Sequence, residues 1–132
     1  MDELILSRKV YFCCAYEAEH LEGHNFTLEA FFSGPMDPVT GLVINFSDLD
    51  PLLKKCVDQL DHRHLNRDLA YFQEQTPGPK SILHFCAKQI LSQWPKDSLV
   101  QPIKLKLTQG EESLTDLILT KDKTLMRNLF AL

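Results

Sequence analysis

The chain reads as a single α+β domain, an antiparallel sheet with two helices on one face, in the order strand, strand, helix, helix, strand, strand (ββααββ). Three observations lead there. Apolar and polar residues alternate over 25–33 and again over 103–108, the period of half-buried strands. Residues 49–60 and 82–94 carry apolar side chains at three-and-four spacing, the period of amphipathic helices. Clusters of Gly, Pro, Asp and Thr punctuate the chain between these stretches, where reversals are required.

Taken in order, residues 4–16 are rich in β-formers, and Val10-Tyr11-Phe12-Cys13-Cys14-Ala15-Tyr16 is short and apolar enough for a largely buried strand. The second strand has Phe26, Leu28, Ala30 and Phe32 on one face and Thr27, Glu29, Phe31 and Ser33 on the other. Only residues 17–24 separate the two, which predicts a hairpin, with Gly23 supplying a positive φ for the reversal. Phe31, opposite in parity to the core residues, then marks the sheet face that must be polar or meet another subunit. Gly34-Pro35-Met36-Asp37-Pro38-Val39-Thr40-Gly41 and the apolar run 42–46 lead to a first helix. Ser47 is its predicted N-cap, with Asp50 three residues on and Pro51 in the first turn. Leu49, Leu52, Leu53, Cys56, Val57 and Leu60 form its apolar stripe, and Asp61 and His62 emerge at its C-terminal end. Residues 67–79 read as a loop anchored by Tyr71 and Phe72. The second helix runs over about 80–94, with Pro95 beyond its end. A second hairpin follows, turning at Gln109-Gly110-Glu111-Glu112 into 114–120, and 121–132 form a short amphipathic tail that needs a neighbour or the sheet to dock on.

At 132 residues the chain can bury one core and is too short for two ordinary domains, so 1–132 is taken as one unit, with its core at about 8–120. The net charge of −4 leaves no electrostatic footprint for nucleic acid. No run approaches the roughly 20 apolar residues that span a bilayer, and the N-terminus lacks a basic region followed by a long apolar stretch, so a cytoplasmic protein is expected. Cys13, Cys14, Cys56 and Cys86 have neither CxxC spacing nor the density of a disulfide scaffold, and are read as reduced, mostly buried structural thiols.

Four of the five histidines fall in two short stretches, His20-Leu21-Glu22-Gly23-His24 and Asp61-His62-Arg63-His64, each with acidic neighbours able to orient an imidazole. A metal or proton-transfer site is the functional reading. His20 and His24 can equally be solvent-facing turn residues, and Asp61 and His62 can simply cap the first helix, whose C-terminus favours a cation. His64 is expected on the surface, and His84 in a packing role on the second helix.

Three motifs narrow the choice: Gly23-His24-Asn25-Phe26; Asp37-Pro38-Val39-Thr40-Gly41-Leu42-Val43-Ile44-Asn45-Phe46-Ser47-Asp48-Leu49; and Leu60-Asp61-His62-Arg63-His64-Leu65-Asn66. With the element order they resemble the 6-pyruvoyl-tetrahydropterin synthase and 6-carboxytetrahydropterin synthase family over about residues 8–120. That resemblance implies a tunnelling fold, with sheets joining between subunits into a barrel, and a homo-oligomer (trimer or hexamer) with sites at subunit interfaces. It implies a zinc-dependent carbon–oxygen lyase acting on dihydroneopterin triphosphate or a related pterin. In the family three histidines bind the zinc, one ending the first strand and two in a His-Gly-His segment, leaving a fourth position open. Carried onto this chain, the metal ligands are His20, His24 and Glu22, with Glu22 standing where the first His of His-Gly-His falls; alternatively Tyr16 occupies the strand position. Asp61 and His62 match the family's proton relay. The relay's cysteine has no counterpart between Cys14 and Cys56, so Cys13 or Cys14 could substitute only if the shortened loop re-aims the first strand, and the pterin-anchoring acids are matched by Leu107 and Ile82.

Overall fold

A computed structural model describes residues 3–119 and shows a five-stranded sheet flanked on one face by helices. Strand β1 (Glu3–Glu17) and strand β2 (Leu21–Pro35) pair antiparallel along their whole length. Helix α1 (Phe46–Asp58), a two-residue strand β3 (Arg63–His64) and the short helices α2 (Leu65–Asp68) and α3 (Tyr71–Glu74) follow. Helix α4 (Pro79–Gln93) leads to the β4 (Gln101–Gln109) and β5 (Glu112–Ile118) hairpin. The sheet order is β3-β1-β2-β4-β5, antiparallel except for the β1–β3 contact.

Strand parity decides which side is core. Phe12, Cys14 and Tyr16 of β1, Phe26, Leu28, Ala30 and Phe32 of β2, and Leu105 and Leu107 of β4 are all buried. They meet the stripe Leu49, Leu53, Cys56 and Val57 of α1 and the residues Ile82, Leu83, Cys86 and Ile90 of α4. Burying a Leu, Phe or Ile side chain stabilises by about 1.5–3 kcal/mol, so this one layer supplies most of the driving force. Trp94 closes the layer beyond α4: its ring stacks on Phe32 at 5.2 Å, and its indole N–H donates to the Val100 carbonyl at 2.8 Å. Gly34 is required there, because a Cβ at this position would lie 2.8 Å from Val100 Cγ2.

Several local expectations change. The first reversal is shorter than predicted: the strands continue to Glu17 and from Leu21, leaving His20 in an exposed turn and placing Glu22 and His24 inside β2. Gly23 pairs with Ala15 within the sheet and has no positive φ; among the described residues the glycines that do are Gly41 and Gly110, both in turns. The N-cap of α1 is Asn45, not Ser47, because the Asn45 side-chain oxygen accepts the Ser47 N–H at 2.9 Å. Pro51 therefore sits in the second turn of α1, on its exposed face. The 67–79 loop contains α3 and begins within α2, whose Leu65, like Phe72 of α3, is buried under the sheet's end. The predicted tail over 121–132 lies outside the described residues.

Candidate functional site

The segment after α1 docks on the open edge of β1, and Cys13 is where it docks. The Cys13 carbonyl accepts the His62 N–H at 2.6 Å, and the Cys13 N–H donates to Asp61 Oδ1 at 2.9 Å. Both edge-facing backbone groups of Cys13 are thereby satisfied by two consecutive residues of the incoming loop. Making both bonds at once forces His62 to φ 59°, a left-handed conformation that a non-glycine residue adopts at a cost of about 1–2 kcal/mol. Downstream, Arg63 and His64 pair with Cys14 and Ala15 as β3, and Asn66 bonds both backbone groups of Glu17.

This docking gathers three functional groups. His62 Nδ1 lies 2.9 Å from Asp61 Oδ1 and 3.3 Å from Cys13 Sγ. The bond from the Cys13 N–H, then the one from the His62 ring, hold the Asp61 carboxyl below its ordinary pKa, so it is ionised at neutral pH. An ionised Asp61 accepts a hydrogen bond from Nδ1–H of a neutral imidazole, which leaves the lone pair on Nε2. The His62 side chain is 77% exposed, so that nitrogen is available to a ligand. Cys13, Asp61 and His62 are also the one His, Cys, Asp or Glu group among the described residues whose ligand atoms all lie within 4.8 Å of one another and could hold a metal.

A cleft of about 540 Å³ opens beside them, lined by Cys13, His24, Asn25, His62, Arg63 and His64, among others. His64 is not the surface residue expected: its side chain is 19% exposed, and its Nε2 is 3.5 Å from the Glu17 carboxylate. Neither of its ring nitrogens has a hydrogen-bond partner among the described residues.

The expected metal ligands do not come together. His20 is in the turn, while Glu22 and His24 lie on the helix-covered side of β2, opposite Tyr16 and Cys14 in register, so His20, Glu22 and His24 form no gathered donor group. The physical reason is the position of His20, in the turn beyond the end of β2, whereas Glu22 and His24 are two residues apart on one face of the strand. The His24 ring packs against Tyr16 and Phe26, and Gln109 places its amide nitrogen 2.9 Å from His24 Nδ1. As placed, His20, Glu22 and His24 do not fit a zinc held by all three.

Asp61 and His62 are legible as a pair from the sequence; Cys13 is much less so, since it reads as a structural thiol that, with Cys14, could join the relay only if the first strand is re-aimed. Its neighbour explains why the two thiols look alike in sequence and differ in space: Cys14 faces the core, where burial pushes its thiol up to about 12. Cys13 has the opposite parity and is half-buried beside His62. Alternation counted from Phe12 gives the parity; the loop that meets it comes from 48 residues away.

Similarity to known proteins agrees with this architecture. A Poecilia reticulata protein named 6-pyruvoyl tetrahydrobiopterin synthase is 38% identical over 73 residues, covering 52% of this chain and 46% of its own. The Pyrococcus furiosus protein named dihydroneopterin monophosphate aldolase is 31% identical over 96 residues, covering 73% and 76%. This chain spans about half the length of the Poecilia relative and of a Drosophila melanogaster 6-pyruvoyl tetrahydrobiopterin synthase, 46% and 54% respectively. The structure of Caenorhabditis elegans 6-pyruvoyl tetrahydropterin synthase superposes with a TM-score of 0.81 at 17% identity, covering 91% of this chain and 98% of that one, so the tunnelling fold is shared. No helix among the described residues is long and apolar enough to cross a membrane. The family model described as 6-pyruvoyl tetrahydropterin synthase matches residues 6–116, and the chain belongs to that family.

Proposed function

We propose that this chain is a carbon–oxygen lyase acting on a pterin with a phosphorylated side chain, dihydroneopterin triphosphate being the first candidate, and that Cys13, His62 and Asp61 move its protons. One observation carries the reading: the meeting of Cys13 Sγ, His62 Nδ1 and Asp61 Oδ1 at the mouth of a cleft large enough for a small molecule. Elimination needs a base for a carbon-bound proton and an acid for its return. His62 Nε2 takes the proton, the freed electron pair becomes a carbon–carbon double bond, and the neighbouring carbon–oxygen bond breaks with phosphate leaving on its own pair. Asp61 keeps the ring in the tautomer that makes Nε2 the acceptor, and Cys13, 3.3 Å from Nδ1, is the second group able to exchange a proton with substrate. Assembly into trimers or hexamers belongs to the same reading, supported by the edge of β1 over residues 5–12, which β3 does not reach.

A second reading, a relative that kept the scaffold and takes another small molecule, is favoured by Ile82 and Leu107. Both are fully buried and apolar at the positions matching the family's pterin-anchoring acids. The test follows triphosphate release from dihydroneopterin triphosphate by phosphorus NMR, alongside pterin binding by fluorescence. Turnover that falls about 10²–10⁴-fold in His62→Ala and in Cys13→Ser supports the first reading. Folded protein that neither binds nor converts a phosphorylated pterin refutes it in favour of the second.

A further inference from the structure

The helix-covered end of the β1–β2 hairpin is where the family resemblance looks for a metal, and the side chains there supply too few donors for one. Tyr16, opposite Glu22 in the register, is 4% exposed and presents a buried phenol where an imidazole nitrogen would be needed. Gln109 places its amide nitrogen 2.9 Å from His24 Nδ1, so that ring nitrogen is occupied and Nε2 is the one left to offer a ligand. The same ring is held edge-on between Tyr16 and Phe26, at centroid distances of 6.3 and 5.7 Å. Cys14, opposite His24 in the register, is buried in the apolar core, where a thiol is inert. Two donors remain, one nitrogen of His24 and the exposed Glu22 carboxylate, short of the three protein ligands that hold a zinc with an open fourth position.

We infer that this hairpin end is a metal-free hydrogen-bonded cluster, in which Tyr16 and Glu22 exclude the ion that histidines at the same two positions would hold with His24. The inference concerns metal occupancy alone, so it stands or falls separately from the pterin activity proposed above.

Zinc is counted by metal analysis on purified protein loaded with excess zinc and desalted, in a Cys13→Ser background that removes the sulfur donor of the other candidate group. Chain with Tyr16 and Glu22 intact is expected to emerge essentially metal-free, whereas the Tyr16→His, Glu22→His double variant retains about one zinc per chain, the stoichiometry of a three-nitrogen site with an open fourth position. Because Tyr16 is buried, the exposed Glu22→His change is also made alone, and zinc titration should show its affinity rising by about tenfold or more. Zinc that is retained with Tyr16 and Glu22 intact and lost on His24→Ala overturns the inference. So does a folded double variant that stays metal-free, or a Glu22→His variant whose zinc affinity does not rise.

Discussion

Asp61→Ala removes two bonds at once: the one that satisfies the Cys13 N–H on the sheet edge and the one that orients His62. A hydrogen bond to a charged acceptor contributes about 1.5–3 kcal/mol when sheltered, but the Asp61 side chain is 35% exposed, so solvent screening brings the expected loss to about 1–2 kcal/mol. Asp61→Asn keeps an oxygen for the Cys13 N–H and loses only the charge; about half that loss is expected, since charge-assisted bonds are roughly twice as strong as neutral ones. Urea melts at constant m-value measure both, and about 1 kcal/mol corresponds to roughly 3–5 °C in Tm for a domain of this size. The pH dependence has a definite sign. The folded-state pKa of Asp61 is depressed, so its contribution is fully present above the unfolded carboxylate value near 3.9 and is lost as pH falls through the lower folded value. Asp61→Asn should therefore flatten the acid limb of the stability curve below about pH 4 while leaving its neutral part parallel to the parent. Nitrogen chemical shifts of His62 should move from the Nδ1–H form towards a mixture of tautomers. Variants matching the parent in stability, acid limb and His62 tautomer would refute the assignment of Asp61 as the residue that anchors both the edge and the ring.

Three further outcomes are expected. His62→Gly should be more stable than His62→Ala by about 1 kcal/mol in chemical denaturation, because only the alanine variant retains a Cβ at φ 59°; equal stabilities would remove backbone strain from the account. Gly34→Ala should destabilise by about 1–3 kcal/mol through the contact with Val100, and a Gly34→Ala, Val100→Ala pair should recover part of that loss in a double-mutant cycle. Trp94→Phe keeps the ring against Phe32 but leaves the Val100 carbonyl without its indole donor, a loss of about 1 kcal/mol by thermal or urea melting.

The elements that depend on periodicity were legible in the sequence. Phe26, Leu28, Ala30 and Phe32 announce a strand face, and Leu49, Leu53, Cys56 and Val57 a helix stripe, because burial repeats at the period of the backbone. What failed depends on encounters between distant segments. β3 is two residues long and carries no pattern of its own; it exists because Arg63 and His64 meet the edge of β1 at Cys14 and Ala15. Asn45 outcompetes Ser47 as cap because the chain enters α1 in extended geometry at Asn45, which local composition does not specify. In the site, Asp61 and His62 were adjacent in sequence and so visible as a pair, whereas the third member of their group is joined to them only by a sheet edge. Gly23 looked like a turn glycine and is a strand residue facing Ala15, which moved Glu22 and His24 out of the turn and away from His20.

The opposite parity of Cys13 and Cys14 has a practical consequence. One peptide bond separates a thiol beside a solvent-exposed imidazole from a thiol that alkylating reagents reach only when the sheet's end comes apart. Both remain on the same proteolytic fragment, so the ratio of doubly to singly labelled peptide over time is a self-normalised clock for local opening. That clock sits at the joint between β1 and the loop that carries the candidate relay, and it ticks in the intact protein without any engineered probe.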